Sequence, residues 1–508
     1  SLFPMTSQLT RNPGQACERK YDLIIVGGGI HGAMLALEST RLGLTPLLLE
    51  KEDFGGATSF NSLRLIHGGF RYLQTFDYAR LKRSAAERRW FLAKFPHLVK
   101  PLPCMVPLYG KGLRRRSALN LALRSYDFLT RDRNIDLPPD RNIPAGKILS
   151  VDETIRDFCL VDQNGLQGSA VWYDGYVENS QRMIIDALRI ACQNGATVLN
   201  YTEAKQLVSD SDRARGVVAH DHATNTDYTF RADIIINVAG PWCRDLAKHF
   251  DRDEKILFRS MLAWNILFDR DPVSDNGIAV TAGKAGSSHT YFLVPWKNKL
   301  LAGTGQAPWL HKSRRACPTR GQILNFIEDL NSAIPGLHLN PAEITYTFSG
   351  LQSATTEGGK DFVTRDVVFD HSSKGGVQGL FSVSGVKLTT SRYTAEKALR
   401  VIFPSKNWRD SSQDGISESL SDNSHIWDFS KNGELKPYGW EDGLKQLIGE
   451  ESVIHLDDLV FRRTTLWETP GQAIDIAPEL CSLFGWDRDK SKYEIKRVAD
   501  LVNNKRTN

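Results

Sequence analysis

Short, continuously apolar runs alternate with polar segments along the chain and give its clearest structural signal. The runs Tyr21–Val26, Thr45–Glu50 and Ala232–Gly240 have the length and composition of strands buried on both faces of a parallel sheet. "GLFSVSG" ends a fourth strand at Gly385, and Lys387–Thr390 is expected to start a helix after it. A doubly wound core requires such later strands to return beside the first.

Other stretches predict antiparallel strands and helices. Thr197–Val208 is a candidate strand pair, and "GVVAHDHATNTDYTF" alternates and turns around Asn225-Thr226, as a hairpin does. "YFLVPWKNKLLAGTG" is a further strand pair. Ser405–Gly439 is polar and rich in Ser and Asp, which predicts a long irregular connection, and short helices follow it.

The run Tyr21–Val26 ends in Gly27-Gly28-Gly29-Ile30-His31-Gly32, a G-x-G-x-x-G, and a helix is expected after it. Gly27 permits the tight turn, Gly29 lets backbone N–H groups approach a pyrophosphate, and Gly32 lets helix and strand pack closely. The helix N-terminus then stabilises the phosphate charge. Glu50, about twenty residues further on, can accept hydrogen bonds from both ribose hydroxyls, which disfavours NADP. The chain therefore binds a dinucleotide, FAD or NAD.

The segment after Glu50 favours FAD. An NAD enzyme usually proceeds to another βα unit, whereas "DFGGATSFNSLRLIHGG" is a long polar loop, and such loops in compact domains are usually functional. It offers hydroxyl and amide groups to a ligand, and Gly68-Gly69 lets backbone approach a flat ring. The polar groups are those of Thr58, Ser59, Asn61 and Ser62.

At this loop the chain resembles the FAD-dependent glycerol-3-phosphate dehydrogenases, within the wider D-amino-acid-oxidase-like flavoproteins. Similar blocks extend from Tyr21 to Val502, and two of them, "IHGGFRYL" and "KLTTSRYTAEKAL", are quite specific. The blocks that carry the resemblance are "ATSFNSLRLIHGGFRYL", "IIINVAGPWC", "YFLVPWKNKLLAGTG", "FSVSGVKLTTSRYTAEKAL", "IHLDDLVFRRTTLW" and "LFGWDRDKSKYEIKRVADLV".

The resemblance implies an α/β protein: a Rossmann-like FAD-binding domain with an antiparallel-sheet substrate domain and a C-terminal helical domain. The expected ranges are 20–110, 160–250 and 350–402 for the FAD-binding domain, 111–159 and 251–349 for the substrate domain, 403–439 for a polar linker and 440–508 for the helical domain. With the fingerprint it predicts FAD contacts at Gly27, Gly29, Ile30, His31, Gly32, Glu50, Lys51, Thr58, Ser59, Ser62, Leu65, His67, Gly68, Gly69, Ala204, Ala239, Gly240, Trp242, Gly385, Val386, Lys387, Leu388 and Thr389.

Oxidation of an alcohol by flavin needs a base for the hydroxyl proton and positive charge near the pyrimidine end of the ring. By resemblance Lys387 supplies the charge; on residue type alone it is equally a solvent-facing lysine. His67 is the first candidate for proton transfer, and its alternative is a histidine that hydrogen-bonds backbone in a glycine turn. Tyr72 and Arg71 follow, and Arg71 suits a phosphate or carboxylate.

The substrate side departs from the family pattern. Arg365 matches a substrate-pocket arginine, but Gln352 stands where the family places a second arginine that clamps the phosphate. Asn265 replaces a family histidine, or Trp264 does if the register slips by one. Gln306 replaces an acid. Glycerol 3-phosphate is therefore the expected substrate by family, and an amine, an amino acid or a modified sugar is the alternative; a flavin-binding protein without turnover is a third hypothesis.

Composition adds few constraints. The net charge of +5 over 508 residues gives no basis for nucleic-acid binding. Seven dispersed cysteines without a C-x-x-C pair predict neither disulfides nor a metal site and suit a cytoplasmic location, and the first twenty residues resemble neither a signal peptide nor a membrane span.

Lys111–Asn134 is basic with Leu119, Leu123, Tyr126 and Leu129 at helical spacing. It predicts a core helix with solvated arginines, the alternative being a peripheral membrane helix. The electron acceptor (oxygen, quinone or a carrier), covalent flavin attachment and the oligomeric state stay open.

Overall fold

The computed structural model describes residues 8–110, 115–257, 259–282, 289–309, 316–354, 365–408, 427, 429 and 438–506. Its α-helices are α1 (Pro13–Ala16), α2 (Ile30–Arg41), α3 (Tyr78–Lys94), α4 (Arg116–Leu129), α5 (Val151–Asp157), α6 (Ser180–Gln193), α7 (Cys243–Phe250), α8 (Arg320–Ala333), α9 (Ser391–Ile402), α10 (Trp440–Glu450), α11 (Leu456–Asp458), α12 (Pro470–Ser482) and α13 (Arg488–Arg506). Its strands are β1 (Lys20–Tyr21), β2 (Leu23–Val26), β3 (Pro46–Leu49), β4 (Leu65–Ile66), β5 (Val99–Pro107), β6 (Lys147–Leu149), β7 (Ser169–Val177), β8 (Thr197–Leu199), β9 (Thr202–Asp210), β10 (Arg213–Asp221), β11 (Thr226–Ala232), β12 (Ile235–Asn237), β13 (Arg259–Phe268), β14 (Gly277–Ala282), β15 (His289–Trp296), β16 (Lys299–Pro308), β17 (Ile344–Ala354), β18 (Val367–Asp370) and β19 (Leu380–Ser384).

The apolar runs form a six-stranded sheet in the order β18-β19-β12-β2-β3-β8. All its pairings are parallel except that of the edge strand β18. Side chains alternate across a strand, so Leu23 and Ile25 face the helical layer of α2, α6 and α9, while Ile24 and Val26 face a four-stranded sheet of order β1-β11-β10-β9. These three layers confirm the expected Rossmann-like nucleotide-binding unit, with the returning strands β12 and β19 beside β2.

A second, nine-stranded sheet has the order β17-β13-β16-β15-β14-β5-β7-β4, and β6 pairs with β7. Its pairings are antiparallel apart from that of β14 with β5. One face packs on α8 through Phe326, and the other packs on the C-terminal helical unit (α10–α13 and the turns between them) through Trp467. Strands β5 and β7 belong to this sheet, although the expected ranges place them in the nucleotide-binding domain.

The crossover after β19 differs from the expected one. Helix α9 begins at Ser391, not at Lys387. Tertiary contacts hold the intervening backbone out of helical conformation: the N–H of Val386 donates to Asp366 Oδ1 at 3.0 Å, and Gly385 lies directly against His31. The residues expected to open the helix therefore form an irregular segment that faces the glycine turn.

The basic segment contains α4 (Arg116–Leu129), with Leu119, Leu123 and Tyr126 buried as expected. Residues 111–114 and most of the polar connection 405–439 lie outside the described residues. Within the part of the chain that the structure describes, no helix is both long and apolar enough to cross a bilayer.

Candidate active site

The glycine turn joins β2 to α2 with no room for larger side chains. Gly27 has a φ of +123°, a region that L side chains rarely adopt. A Cβ on Gly32 would lie 1.9 Å from the carbonyl oxygen of Gly27, and one on Gly28 would lie 2.8 Å from Cβ of Glu50. The turn can therefore bring backbone N–H groups close to a ligand at the start of α2.

Glu50 lies at the end of β3 and faces this turn. Its Oε2 accepts the N–H of Gly28 at 2.7 Å, and its Oε1 accepts the N–H of Glu52 at 2.9 Å. Burial raises the pKa of the Glu50 carboxyl, and these two N–H groups act in the opposite direction. Each carboxylate oxygen keeps a further lone pair, so the group can also accept from the hydroxyls of a ribose.

The polar loop after Glu50 is fastened to the turn. The hydroxyl of Ser59 accepts the N–H of Ile30 at 3.0 Å, and the hydroxyl of Thr58 donates to the carbonyl of Leu351 on β17 at 2.7 Å. Nearby, the ammonium of Lys51 lies 5.4 Å from the ring centre of Trp242. Three separate segments that were expected to contact the cofactor therefore meet here: the glycine turn, the loop after β3 and the turn after β12.

The loop that contains His67 meets the segment after β19. The N–H of His67 donates to the hydroxyl of Thr389 at 2.9 Å, and the ammonium of Lys387 donates to the hydroxyl of Tyr72. Gly385 lies against the imidazole of His31, the residue that follows the start of α2. The three residues expected to act on the substrate, His67, Tyr72 and Lys387, thus belong to one site beside the glycine turn.

Asp174 on β7 also belongs to this site, although the sequence did not single it out. Its Oδ1 accepts the N–H of Gly68 at 2.6 Å, its Oδ2 accepts the indole N–H of Trp172 at 3.2 Å, and Nδ1 of His67 lies 3.5 Å from Oδ2. Burial raises the pKa of this carboxyl, but His67, the Gly68 N–H and Arg88 together hold it below its ordinary value. The available sequence signal was one acid inside the otherwise apolar run "SAVWYDGYV".

The opposite wall of the site is formed by β13 and β17. Gly350 faces the loop after β3, close to Thr58, and Gln352 is two residues further along the same strand, so it points to the same side. Gln352 is half-buried and has no hydrogen-bond partner among the described residues. The amide of Asn265 is buried, donates to the carbonyl of Asn61 at 3.0 Å and accepts from the hydroxyl of Thr304 at 2.8 Å.

Trp264 does not line this wall. As the neighbour of Asn265 on β13 it points to the other face of the sheet, where it packs against Phe326 of α8. The one-residue register slip that would have put it in the pocket does not occur. Arg71 and Arg365 are both exposed, and Arg365 adjoins residues outside the described ranges.

The remaining expected cofactor residues occupy varied positions. Leu65 and Ala204 are buried in apolar cores, and the hydroxyl of Ser62 accepts the N–H of Arg64 at 3.3 Å. Gly240 begins a short 3-10 turn with a φ of +56°. These residues therefore lie in apolar cores or in turns of the backbone.

The site fits FAD. Burial lowers the pKa of His31, and its Nε2 is buried without a hydrogen-bond partner among the described residues, so it can bond to a ligand at the start of α2. Glu50 suits the ribose and the turn suits the pyrophosphate, whereas Lys387 and Thr389 lie on the segment expected at the flavin. Bound FAD would supply the acceptor for a hydride at this site.

Comparison with known proteins agrees with this geometry. The family model described as FAD dependent oxidoreductase matches residues 22–398. A glycerol-3-phosphate dehydrogenase of Synechocystis sp. is 30% identical over 406 residues, which span 77% of this chain and 72% of that protein. An aerobic glycerol-3-phosphate dehydrogenase of Staphylococcus aureus is 28% identical over 388 residues, spanning 75% of this chain and 67% of that protein.

Solved structures share the fold. The glycerol-3-phosphate dehydrogenase of Bacillus halodurans complexed with FAD superposes with a TM-score of 0.70 at 18% identity, covering 97% of both chains. The L-alpha-glycerophosphate oxidase of Mycoplasma pneumoniae with FAD bound gives a TM-score of 0.56 at 16% identity, covering 79% of this chain and 99% of that one.

Proposed function

The chain belongs to the family of FAD dependent oxidoreductases, and we propose that it oxidises the secondary alcohol of glycerol 3-phosphate. The observation that carries the proposal is that the His67 loop contacts the Lys387 segment beside the dinucleotide turn. Two hydrogen bonds make this contact, one from His67 to Thr389 and one from Lys387 to Tyr72. This arrangement supports a site in which His67 would be the proton acceptor and Lys387 the fixed cation. The two relatives named by sequence, both glycerol-3-phosphate dehydrogenases, support the choice of substrate.

In this proposal His67 removes the hydroxyl proton, and 46% of its side chain is exposed, so a substrate can reach it. Lys387 would supply positive charge beside bound FAD, where it can stabilise negative charge on the ring. Arg71 and Arg365, both exposed, bind the phosphate, because a guanidinium offers two parallel hydrogen bonds to its oxygens. The FAD contacts expected from the sequence and the expected domain ranges are part of the same proposal.

Anaerobic stopped-flow mixing of the purified yellow protein with glycerol 3-phosphate tests it. Loss of the visible flavin absorption at millimolar substrate is the expected result. An unchanged spectrum, with FAD content verified on the same sample, would contradict the proposed substrate.

A second candidate keeps the flavin chemistry but takes an amine, an amino acid or a modified sugar. It is favoured by the half-buried, neutral Gln352 on the wall opposite the loop after β3, at the position where the family resemblance predicts an arginine. A panel of amines, amino acids and hydroxy acids should then reduce the flavin when glycerol 3-phosphate does not.

We also propose that α4 contacts the surface of a membrane. Leu121 and Phe128 are each 68% exposed on its solvent side. Arg116 and Arg124 are exposed on the same helix, as in an interfacial helix on anionic lipid. Flotation with vesicles that contain anionic lipid should recover the wild-type protein but not a Leu121→Ser, Phe128→Ser double variant. Equal recovery of both would rule out this contact.

A further inference from the structure

We propose that Asp174 is a positioning residue for His67. Its carboxylate holds the proton of the neutral imidazole on Nδ1, so that Nε2 is the nitrogen offered to the substrate hydroxyl. The role in catalysis rests on the proposed function, whereas the choice of tautomer is a property of the protein alone and can be measured separately.

The position of the carboxylate is fixed from two sides. Asp174 is 3% exposed, and its two oxygens accept the N–H of Gly68 at 2.6 Å and the indole N–H of Trp172 at 3.2 Å. Gly68 is the residue after His67, so the same carboxylate positions both the backbone and the ring of this loop. The thiol of Cys104 also donates to Oδ2, at 3.9 Å, and Nδ1 of His67 lies 3.5 Å from the same oxygen. This distance exceeds that of a formed hydrogen bond, and such bonds commonly tighten when substrate is present.

The charges around Asp174 decide which nitrogen carries the proton. Arg88 of α3 is completely buried, and its positive charge favours the ionised form of Asp174. An ionised carboxylate can only accept hydrogen bonds, so Nδ1 must be the donor. Nε2 has no partner among the described residues, which leaves its lone pair available to a ligand.

This tautomer is the one that the proposed reaction needs. Bound FAD would supply the acceptor for the hydride of the C–H bond, and Nε2 of His67 takes the proton of the O–H bond as the alcohol becomes a carbonyl. The imidazolium that forms is then paired with the Asp174 carboxylate, which stabilises it. With the opposite tautomer, Nε2 would already carry a hydrogen and could not accept the proton.

The test is ¹⁵N NMR of histidine-labelled holoprotein above the titration range of the imidazole, with the His67 signals assigned from their loss in His67→Gln. In the wild type, Nδ1 of His67 should be protonated and Nε2 unprotonated. Nε2 protonated in the wild type would overturn the proposal without any further variant. In Asp174→Asn the new amide N–H can donate to Nδ1, so the proton should move to Nε2, and Asp174→Glu should restore it to Nδ1.

The matched control is Asp227→Asn, which removes the carboxylate partner of another histidine, His220, at 2.7 Å on an exposed hairpin. It should leave the His67 signals and the rate of flavin reduction unchanged, whereas Asp174→Asn should slow reduction by about 100-fold. If the wild type shows the Nδ1 tautomer of His67 but glycerol 3-phosphate does not reduce its flavin, only the proposed substrate is refuted. Reduction in the wild type without the expected tautomer would refute the positioning role alone.

Discussion

The ammonium of Lys387 donates a hydrogen bond to the hydroxyl of Tyr72 and lies 5.1 Å from the centre of its ring. The two residues are 315 positions apart in the sequence, and both are half-buried. The contact fixes the lysine, whose long side chain would otherwise sample many conformations. A cation held in this way can stabilise negative charge without reorganising during the reaction.

Replacing Lys387 should therefore lower the midpoint potential of the bound flavin. The loss of one charged interaction of about 1.5–3 kcal/mol corresponds to a fall of roughly 30–60 mV for a two-electron couple. Spectroscopic redox titration of Lys387→Met measures it. Tyr72→Phe should give a smaller fall because the ammonium remains. Lys397→Met, on the exposed side of α9, is the control, and an equal fall in that variant would contradict the role of Lys387.

Two glycines on helices should respond oppositely to alanine. In Gly32→Ala the added methyl group would lie 1.9 Å from the carbonyl oxygen of Gly27, so α2 must move away from β2 and the protein should purify without FAD. In Gly449→Ala, on α10, nothing lies within 4 Å of the added group. That variant should stay yellow and gain about 0.5–1 kcal/mol in free energy of unfolding. The flavin content and the free energy of unfolding in denaturant should be measured for both variants. Full FAD content in Gly32→Ala would contradict the turn geometry.

An arginine at position 352 should improve the binding of a phosphate ester. Gln352 faces the site with a neutral amide that has no hydrogen-bond partner among the residues described. A charged hydrogen bond contributes about 1.5–3 kcal/mol, which is roughly a 10- to 100-fold change in Kd. Titration of Gln352→Arg with glycerol 3-phosphate, followed by the flavin spectrum, gives the Kd. Gln163→Arg adds the same charge at an exposed loop position. If both variants bind alike, the wall around Gln352 does not contact the phosphate.

Acid should weaken the attachment of the C-terminal helical unit to the loop after β3. Arg463 donates to both oxygens of Asp53, at 2.9 and 3.0 Å. Burial raises the pKa of Asp53, but Arg463 and Arg462 outweigh it and lower the pKa to about 2. Because the folded-state pKa lies below the ordinary value of 3.8, this stabilisation is complete above about pH 5 and is lost as the pH falls from about 4 to 2.

Denaturant unfolding at a series of pH values measures this effect. The wild type should lose stability over that window. Asp53→Asn should already be less stable at pH 7 by about 1.5–3 kcal/mol, because it removes one charged hydrogen-bond partner of the buried Arg462 and Arg463. The variant should then lose less between pH 4 and 2 than the wild type does. Equal losses would show that other carboxylates account for the acid sensitivity, and Asp227→Asn controls for the removal of one exposed charge.

Sequence patterns predicted the parts of the site that local geometry determines. The glycine turn, the strands beside it and the position of Glu50 all follow from spacing and from conformations open only to glycine. Asp174 could not be found in this way, because its importance comes from contact with a loop more than 100 residues earlier. The sequence alone could not decide whether Trp264 or Asn265 faces the pocket, because a shift of one position along a strand moves a side chain to the opposite face of the sheet. The start of α9 was misplaced because Asp366 and His31, both distant in sequence, hold the segment before it.

The pairing of Asp53 with Arg463 has a consequence for biosynthesis. The two residues are 410 positions apart, and the loop that begins at Asp53 also supplies Ser59 to the start of α2. During translation, the Asp53 carboxylate has no counter-charge from Arg463 until about 410 further residues have been synthesised. The glycine turn is synthesised early, but the loop after β3 that packs against it is held in place only after Asp53 pairs with Arg463. We therefore expect nascent chains to acquire FAD only after the segment that contains Arg463 has been synthesised and has docked on Asp53.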